Sequence, residues 1–244
     1  MTGKYQTGAI WATMRQPNYW RYITGNGLSL IGTWMQRIAV GWLTWELTRS
    51  PTWLGIIAMA DFFPVVFMGP LGGVLADRHS RIRVMILSQI GAAACALAMF
   101  ALSMSGVLTE WHLAIFTFLT GIALGLNQAS RLALAPSLVP QEYLTTAIAI
   151  NSMAFNGARF VGPMISTAVI SLWSIHISFL INAFSYTALI IALLSLNIER
   201  RQSRGTDERA RSIAGDIMEG VGFIKNHKPT RLIIIVMTMA ALCI

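Results

Sequence analysis

The sequence predicts an all-α membrane protein with six complete transmembrane helices and the start of a seventh. The first observation is composition: 55% of the 244 residues are hydrophobic and 11% are charged, with a mean hydropathy of +0.60. Soluble domains carry about 25% charged residues, so the chain is too apolar for that class. The second observation is a series of six long apolar runs, and the third is the position of the basic residues between those runs.

Each apolar run is long enough to cross a bilayer, which requires about 20 helical residues. The predicted spans cover approximately residues 22–47, 53–75, 84–103, 113–134, 144–173 and 177–196. The fourth span contains Gly121-x-x-x-Gly125, a pattern that lets helix backbones approach closely. Residues 1–196 are therefore predicted to form one amino-terminal six-helix bundle.

The composition changes after the sixth span. Residues 197–230 are predicted to be a basic cytoplasmic loop, in which apolar residues recur every three or four positions, as in an amphipathic helix on a membrane surface. Residues 231–244 form a short apolar run, which we interpret as the truncated start of a second bundle.

The basic residues predict the orientation of the bundle. Arg49 is the one Lys or Arg in the predicted outer loops, whereas the amino terminus and the other side of the membrane carry most of the rest. Lys and Arg near span ends stay in the cytoplasm, so the amino terminus is predicted to be cytoplasmic. The net charge of +8 is then explained by topology and contact with anionic lipid, and no nucleic-acid partner is expected.

The loop between the second and third spans carries a family signature. Its pattern is Gly-x-Leu-Ala-Asp-Arg-x-x-Arg, and four residues define it: Gly73, Asp77, Arg78 and Arg81. This pattern resembles the signature loop of major facilitator superfamily transporters, although Ser80 replaces the usual second glycine. The resemblance implies that these residues gate the change between inward-open and outward-open states. The alternative is a solvated loop whose arginines only set orientation.

Residues 26–36 and 156–163 resemble a narrower branch of that superfamily, which contains enterobactin-type siderophore exporters and drug and macrolide exporters. The resemblance implies efflux of a small amphipathic organic substrate across a bacterial inner membrane by alternating access, with a missing carboxy-terminal half as partner. The alternative is a truncated six-span partner or scaffold protein that does not transport.

Four polar residues inside the predicted spans are candidates for the substrate cavity or for proton coupling: Arg37, Asp61, Asn127 and Arg159. Charges inside spans are costly and therefore mark functional candidates. Arg37 and Asp61 lie at similar depth on either side of one turn, so they are expected to pair, either as a structural ion pair or as part of transport. Asp61 is the candidate proton carrier.

Arg159 precedes Gly162-Pro163, a weak point in the fifth span that we interpret as a hinge. These residues resemble the superfamily's antiporter motif, from which Ser166 and Thr167 depart. Arg159 is expected either to attract an anionic or polar substrate, or to pair with the carboxylate of Asp61. A purely structural role, with polar residues such as Asn127, Gln128 or Asn151 as partners, stays open.

Enzymatic motifs are absent from the sequence. There is no Gly-x-x-x-x-Gly-Lys-Ser/Thr phosphate loop, and the four histidines lack the spacing of metal ligands. We therefore expect no enzyme, no cofactor and no metal site.

Many proton-coupled members of the superfamily carry an arginine in the fourth span, at the position of Thr117 here. Proton coupling through that motif is therefore not expected, and Asp61 or Glu46 remain as protonatable candidates.

Overall fold

The computed structural model describes residues 3–78 and 80–197, and every regular element in this part is a helix. A short 3-10 turn at Gln141–Tyr143 precedes the sixth long element. The α-helices are α1 (Gly3–Met14), α2 (Pro17–Thr48), α3 (Pro51–Arg78), α4 (Arg81–Met104), α5 (Glu110–Ser137), α6 (Leu144–Leu172) and α7 (Ile175–Leu194). The predicted amphipathic helix in 197–230 and the predicted start of a second bundle in 231–244 lie outside the described residues, apart from residue 197.

The six long helices α2 to α7 correspond in order to the six predicted spans. Four stretches are both long and apolar enough to cross a membrane: Pro51–Ala76, Arg81–Met104, Glu110–Leu134 and Ile175–Leu194. The helices α2 and α6 are long enough but carry more polar side chains, among them Asn26, Gln36 and Asn156. The protein is therefore a helical membrane protein, and complete crossing by α2 and α6 stays a prediction.

Helix neighbours do not follow the order of the chain. The main pairings are α3 with α5, α2 with α7, α4 with α5, α4 with α7 and α2 with α6, whereas the consecutive helices α2 and α3 touch only sparingly. If the labels α2 and α5 are swapped, and likewise α3 and α6, and α4 and α7, the same five pairings result. The bundle thus has the pairing pattern of two similar three-helix units, as is known for transporters built from repeats.

The pattern Gly121-x-x-x-Gly125 lets α5 pack directly on α3. A Cβ atom at Gly121 would lie 2.9 Å from the carbonyl oxygen of Asp61, and one at Gly125 would lie 2.8 Å from the Cβ of Met68. Only glycine permits this approach, so the close packing predicted for the pattern is confirmed. The contact also fixes the α3 backbone at the residue that carries the Asp61 carboxyl group.

The buried apolar side chains form layers along the bundle. One cluster around Tyr19, Tyr22 and Leu189 fills the end near the amino terminus, and another around Leu43, Met99 and Phe179 fills the opposite end. The cluster between them consists of alanines and Tyr186. Small side chains in this middle layer bring α4, α5 and α7 together, and polar groups occur beside it.

Candidate functional site

Arg37 of α2 and Asp61 of α3 form an ion pair, with 2.9 Å between Nε and Oδ2. The expected pairing is therefore present. The two helices are antiparallel and joined by a tight turn, in which Arg49 adopts a left-handed backbone conformation (φ 50°) and Pro51 begins α3. Since both charged residues lie a similar number of turns from this link, the helix rise places them at the same depth.

The ion pair is on the wall of a cavity of about 210 Å³. The cavity lies where α2 and α3 contact each other only sparingly, and α5 and α7 complete its wall. Most of the wall is apolar. Besides the ion pair, five polar residues line it: Thr33, Gln36, Thr117, Thr120 and Tyr186. An apolar enclosure with a few converging polar groups is the usual form of a site for a small organic molecule.

A polar network between α2 and α7 includes part of this wall. Asn182 Nδ2 donates to Gln36 Oε1 at 2.6 Å, and the Ser185 hydroxyl donates to Asn182 Oδ1 at 2.8 Å. The Thr33 hydroxyl donates to the Tyr186 hydroxyl at 3.3 Å. The network connects α7 to the helix that carries Arg37, so it restrains the position of that helix.

The residues of this network were not among the predicted cavity residues, which were three charged side chains and Asn127. A usable signal was present: Asn182, Ser185 and Tyr186 recur at three- and four-residue spacing in the largely apolar α7. Such spacing puts them on one face of a helix, and polar side chains inside a span have to find partners there.

Arg159 lies near the middle of α6 and is exposed. Its Cζ is 5.5 Å from the ring centroid of Trp34, and the Cζ of Arg37 is 4.6 Å from the same ring. Trp34 thus contacts both guanidinium groups. Among the described residues, Asp61 pairs with Arg37 and not with Arg159, so the expected pairing of Arg159 with Asp61 is not found.

Asn127 is buried on α5 and is not among the residues that line the cavity. Two other polar residues that were weighed as partners of Arg159 are also engaged elsewhere. Gln128 accepts a hydrogen bond from Arg131, and Asn151 accepts one from Asn26. The structure therefore brings together Arg37, Asp61 and, through Trp34, Arg159, but leaves Asn127 apart.

Gly162 lies at the contact of α6 with α2. A Cβ atom there would be 2.5 Å from the Cβ of Trp34 and 3.0 Å from the carbonyl oxygen of Ile31. The helix α6 runs through Pro163 without an interruption. Gly162 therefore lets α6 approach the helix that carries Arg37, and the hinge predicted for Gly162 and Pro163 stays a prediction.

The signature loop lies at the ends of α3 and α4. Arg81 begins α4 and donates a hydrogen bond from Nη1 to the carbonyl oxygen of Ala133 in α5, at 3.3 Å. Gly73 faces Ala129 of the same helix. The side chains of Asp77 and Arg78 lie outside the described part of the chain. This contact lies near the carboxyl end of α5, where a positive charge is favourable. The gating role of the loop stays a prediction.

The comparison with known families is consistent with this architecture. Residues 8–243 match the family described as Transmembrane secretion effector. The chain belongs to this family. Its relatives are major facilitator transporters, so the resemblance noted in the signature loop is confirmed.

Several known transporters are similar in sequence to this chain. The protein YfiS of Bacillus subtilis, described as an uncharacterized MFS-type transporter, is 28% identical over 201 residues, or 81% of this chain and 47% of YfiS. Macrolide efflux protein A of Streptococcus pyogenes is 25% identical over 88% of this chain and 53% of its own length. The enterobactin exporter EntS of Shigella boydii is 28% identical over 72% of this chain and 41% of its own length. The chain thus spans about half the length of the relatives it matches.

Proposed function

We propose that this chain is the amino-terminal half of a secondary transporter that exports small amphipathic organic compounds from the bacterial cytoplasm. The observation that carries the proposal is the Arg37–Asp61 ion pair on the wall of an apolar cavity inside the bundle. Charges at this depth are expensive, and in membrane proteins they mark substrate and ion pathways. Relatives named as macrolide efflux and enterobactin export proteins support efflux as the direction of transport.

The mechanism is alternating access. The bundle rocks against a carboxy-terminal bundle that lies beyond this chain, and the substrate binds near the membrane midplane between the two. In the cavity, Arg37 and Asp61 take part in substrate contact or in proton coupling. Asp61 is the group that takes up the proton. Arg159 and Asn127 are further candidates for contact with the substrate. Gly162 and Pro163 bend α6, while Gly73, Asp77, Arg78 and Arg81 hold the cytoplasmic side in one of its two states. The amino terminus is cytoplasmic.

The test uses bacteria that lack their main efflux pumps and express the gene from which this chain comes. A panel of radiolabelled amphipathic compounds is loaded, and retention is compared between wild type, Asp61→Asn and the surface control Arg49→Gln. Lower retention of at least one compound is expected in wild type and in the control. Asp61→Asn should retain that compound like cells without the gene. Export by Asp61→Asn at the wild-type rate and equal expression would refute the role of the ion pair.

The intact mass of the native product separates this proposal from a non-transporting scaffold, which the transporter relatives do not favour. A mass near twice the 26.8 kDa of this chain is expected, because the relatives are about twice as long. A stable native product of 26.8 kDa that exports none of the compounds would count for the scaffold.

A further inference from the structure

A second group of charged and aromatic side chains lies on α2, α5 and α6, beside the cavity. It consists of Trp34, Arg131, Phe155 and Arg159, which we call the arginine–aromatic face. The rings of Trp34 and Phe155 meet edge to face at 6.1 Å between centroids. The Cζ of Arg159 is 5.5 Å from the Trp34 centroid, and the Cζ of Arg131 is 5.7 Å from the Phe155 centroid. Two guanidinium groups therefore flank a pair of contacting aromatic rings.

The positive charge of this face is not balanced within the described part of the chain. There, Arg37 pairs with Asp61, and no carboxylate comes within salt-bridge distance of Arg131 or Arg159. Arg131 donates one hydrogen bond, to Gln128 at 2.7 Å, and no hydrogen bond from Arg159 is found among the described residues. A guanidinium carries five N–H donors, so most of the donors on this face have no partner among the described residues.

The position of Arg159 makes lipid tails an unfavourable neighbour. It is exposed near the middle of α6 (Leu144–Leu172), where a charge facing hydrocarbon is expensive. The neighbouring α6 residue Phe155, one turn earlier, is partly exposed as well. Charged residues inside spans almost always face the bundle interior or a water-filled cavity, so this side of α6 is expected to meet a ligand or water.

We propose that the arginine–aromatic face binds the substrate, and that this substrate is an organic anion with a flat aromatic body. Planar guanidinium groups bind carboxylate and similar anions through paired N–H donors, and aromatic rings pack against a flat apolar body. The balanced ion pair in the cavity exerts no net attraction for an anion, whereas this face carries two positive charges that have no counter-charge among the described residues. The proposal rests on the transport function proposed above and names the class of compound transported.

The test is equilibrium dialysis with the purified product of the complete native gene in nanodiscs of phosphatidylcholine. Three probes share one aromatic body: naphthoate, which is anionic, naphthamide, which is neutral, and naphthylmethylammonium, which is cationic. Saturable binding is expected for naphthoate, with affinity about tenfold higher than for naphthamide, the equivalent of about 1.4 kcal/mol. The cation should not bind. Equal affinity for naphthoate and naphthamide, or no naphthoate binding at all, overturns the proposal.

Three variants locate the site. Arg159→Gln and Arg131→Gln should each weaken naphthoate binding about tenfold and leave naphthamide binding unchanged, because each removes one charge-assisted contact. Arg49→Gln, in the loop between α2 and α3, removes the same charge elsewhere and should bind naphthoate like wild type. Unchanged naphthoate binding in both Arg159→Gln and Arg131→Gln overturns the assignment to this face, and the comparison of probes on the wild type does not depend on either variant folding.

Two further results separate the possible causes of failure. Repeating the dialysis in phosphatidylglycerol nanodiscs tests whether a lipid headgroup is the anion: retained naphthoate binding supports the organic anion, and its loss assigns the face to lipid. The export assay is independent of this binding experiment. Export of compounds without any preference for naphthoate leaves the transport function standing and refutes the substrate class, whereas binding without export refutes the transport function.

Discussion

Removing either member of the Arg37–Asp61 pair should destabilise the bundle, and the two changes should not be additive. Asp61→Asn keeps the shape of the side chain but leaves the Arg37 guanidinium without its counter-charge. Breaking a fully buried pair costs about 3–5 kcal/mol, because a charge stays buried without a partner. Here Arg37 is 28% exposed and Asp61 14% exposed, so solvent and the Trp34 ring offset part of that cost. We expect a loss of about 2–3 kcal/mol for Asp61→Asn.

The coupling between the two residues follows from a similar estimate. Two unit charges about 4 Å apart attract each other by about 4 kcal/mol at an effective dielectric constant of about 20. Desolvation of both groups offsets much of this attraction, which leaves a coupling energy of about 1–3 kcal/mol. The Arg37→Gln/Asp61→Asn double variant should therefore be more stable than the sum of the single changes predicts.

The assay is reversible unfolding of the purified chain in mixed detergent micelles, followed by circular dichroism. Wild type, both single variants and the double variant form the cycle, and Arg49→Gln controls for the loss of one positive charge at an exposed position. A coupling energy indistinguishable from zero would show that the 2.9 Å contact contributes nothing to stability. The ion pair would then have to be explained by transport alone.

Three further predictions concern other parts of the bundle. Gly121→Ala should lower the free energy of unfolding by about 1–3 kcal/mol through overpacking against α3, whereas Gly91→Ala, with open space around it, should raise it by about 0.5–1 kcal/mol; equal effects in the same unfolding assay would contradict the close contact. Asn182→Leu should cost about 1 kcal/mol because Gln36 loses its donor, and a neutral result would exclude the network as a restraint. Asp77→Asn should slow export at unchanged expression and folding, and export at the wild-type rate would refute the gating role of the loop.

The sequence predicted the site to the extent that it depends on local geometry. Two antiparallel helices joined by a tight turn put residues equally far from the turn at equal depth, so the Arg37–Asp61 pair follows from counting along the chain. The glycine pattern predicted that Gly121 lies at a close contact between helices, but not that the other helix is α3. Which helix it meets depends on the packing of the whole bundle, and that information is not local.

The arrangement around Arg159 shows where this reasoning fails. Arg159 was expected to attract a substrate, to pair with Asp61 or to contact polar side chains. Among the described residues its contact is the ring of Trp34, and the substrate role stays a prediction. Charge and polarity identify which residues need partners, while the partner actually reached depends on how α6 is rotated against α2. The close contact at Gly162 fixes that rotation, and nothing in the α6 sequence alone specifies the residue on the other side.

The order in which helices pair has a consequence for biosynthesis. A ribosome delivers the helices one after another, so α3 enters the membrane before α5, its main partner, has been made. The first helix of the bundle, α2, completes its packing later still, because one of its two principal partners is α7, the last helix to be made. The hairpin of α2 and α3 has few contacts between its two helices. The faces of these helices that pack in the finished bundle therefore lack protein partners until α7 has been inserted. Assembly of the bundle is therefore a late step, and the Arg37–Asp61 contact is among the few tertiary links available to the first two helices while they wait.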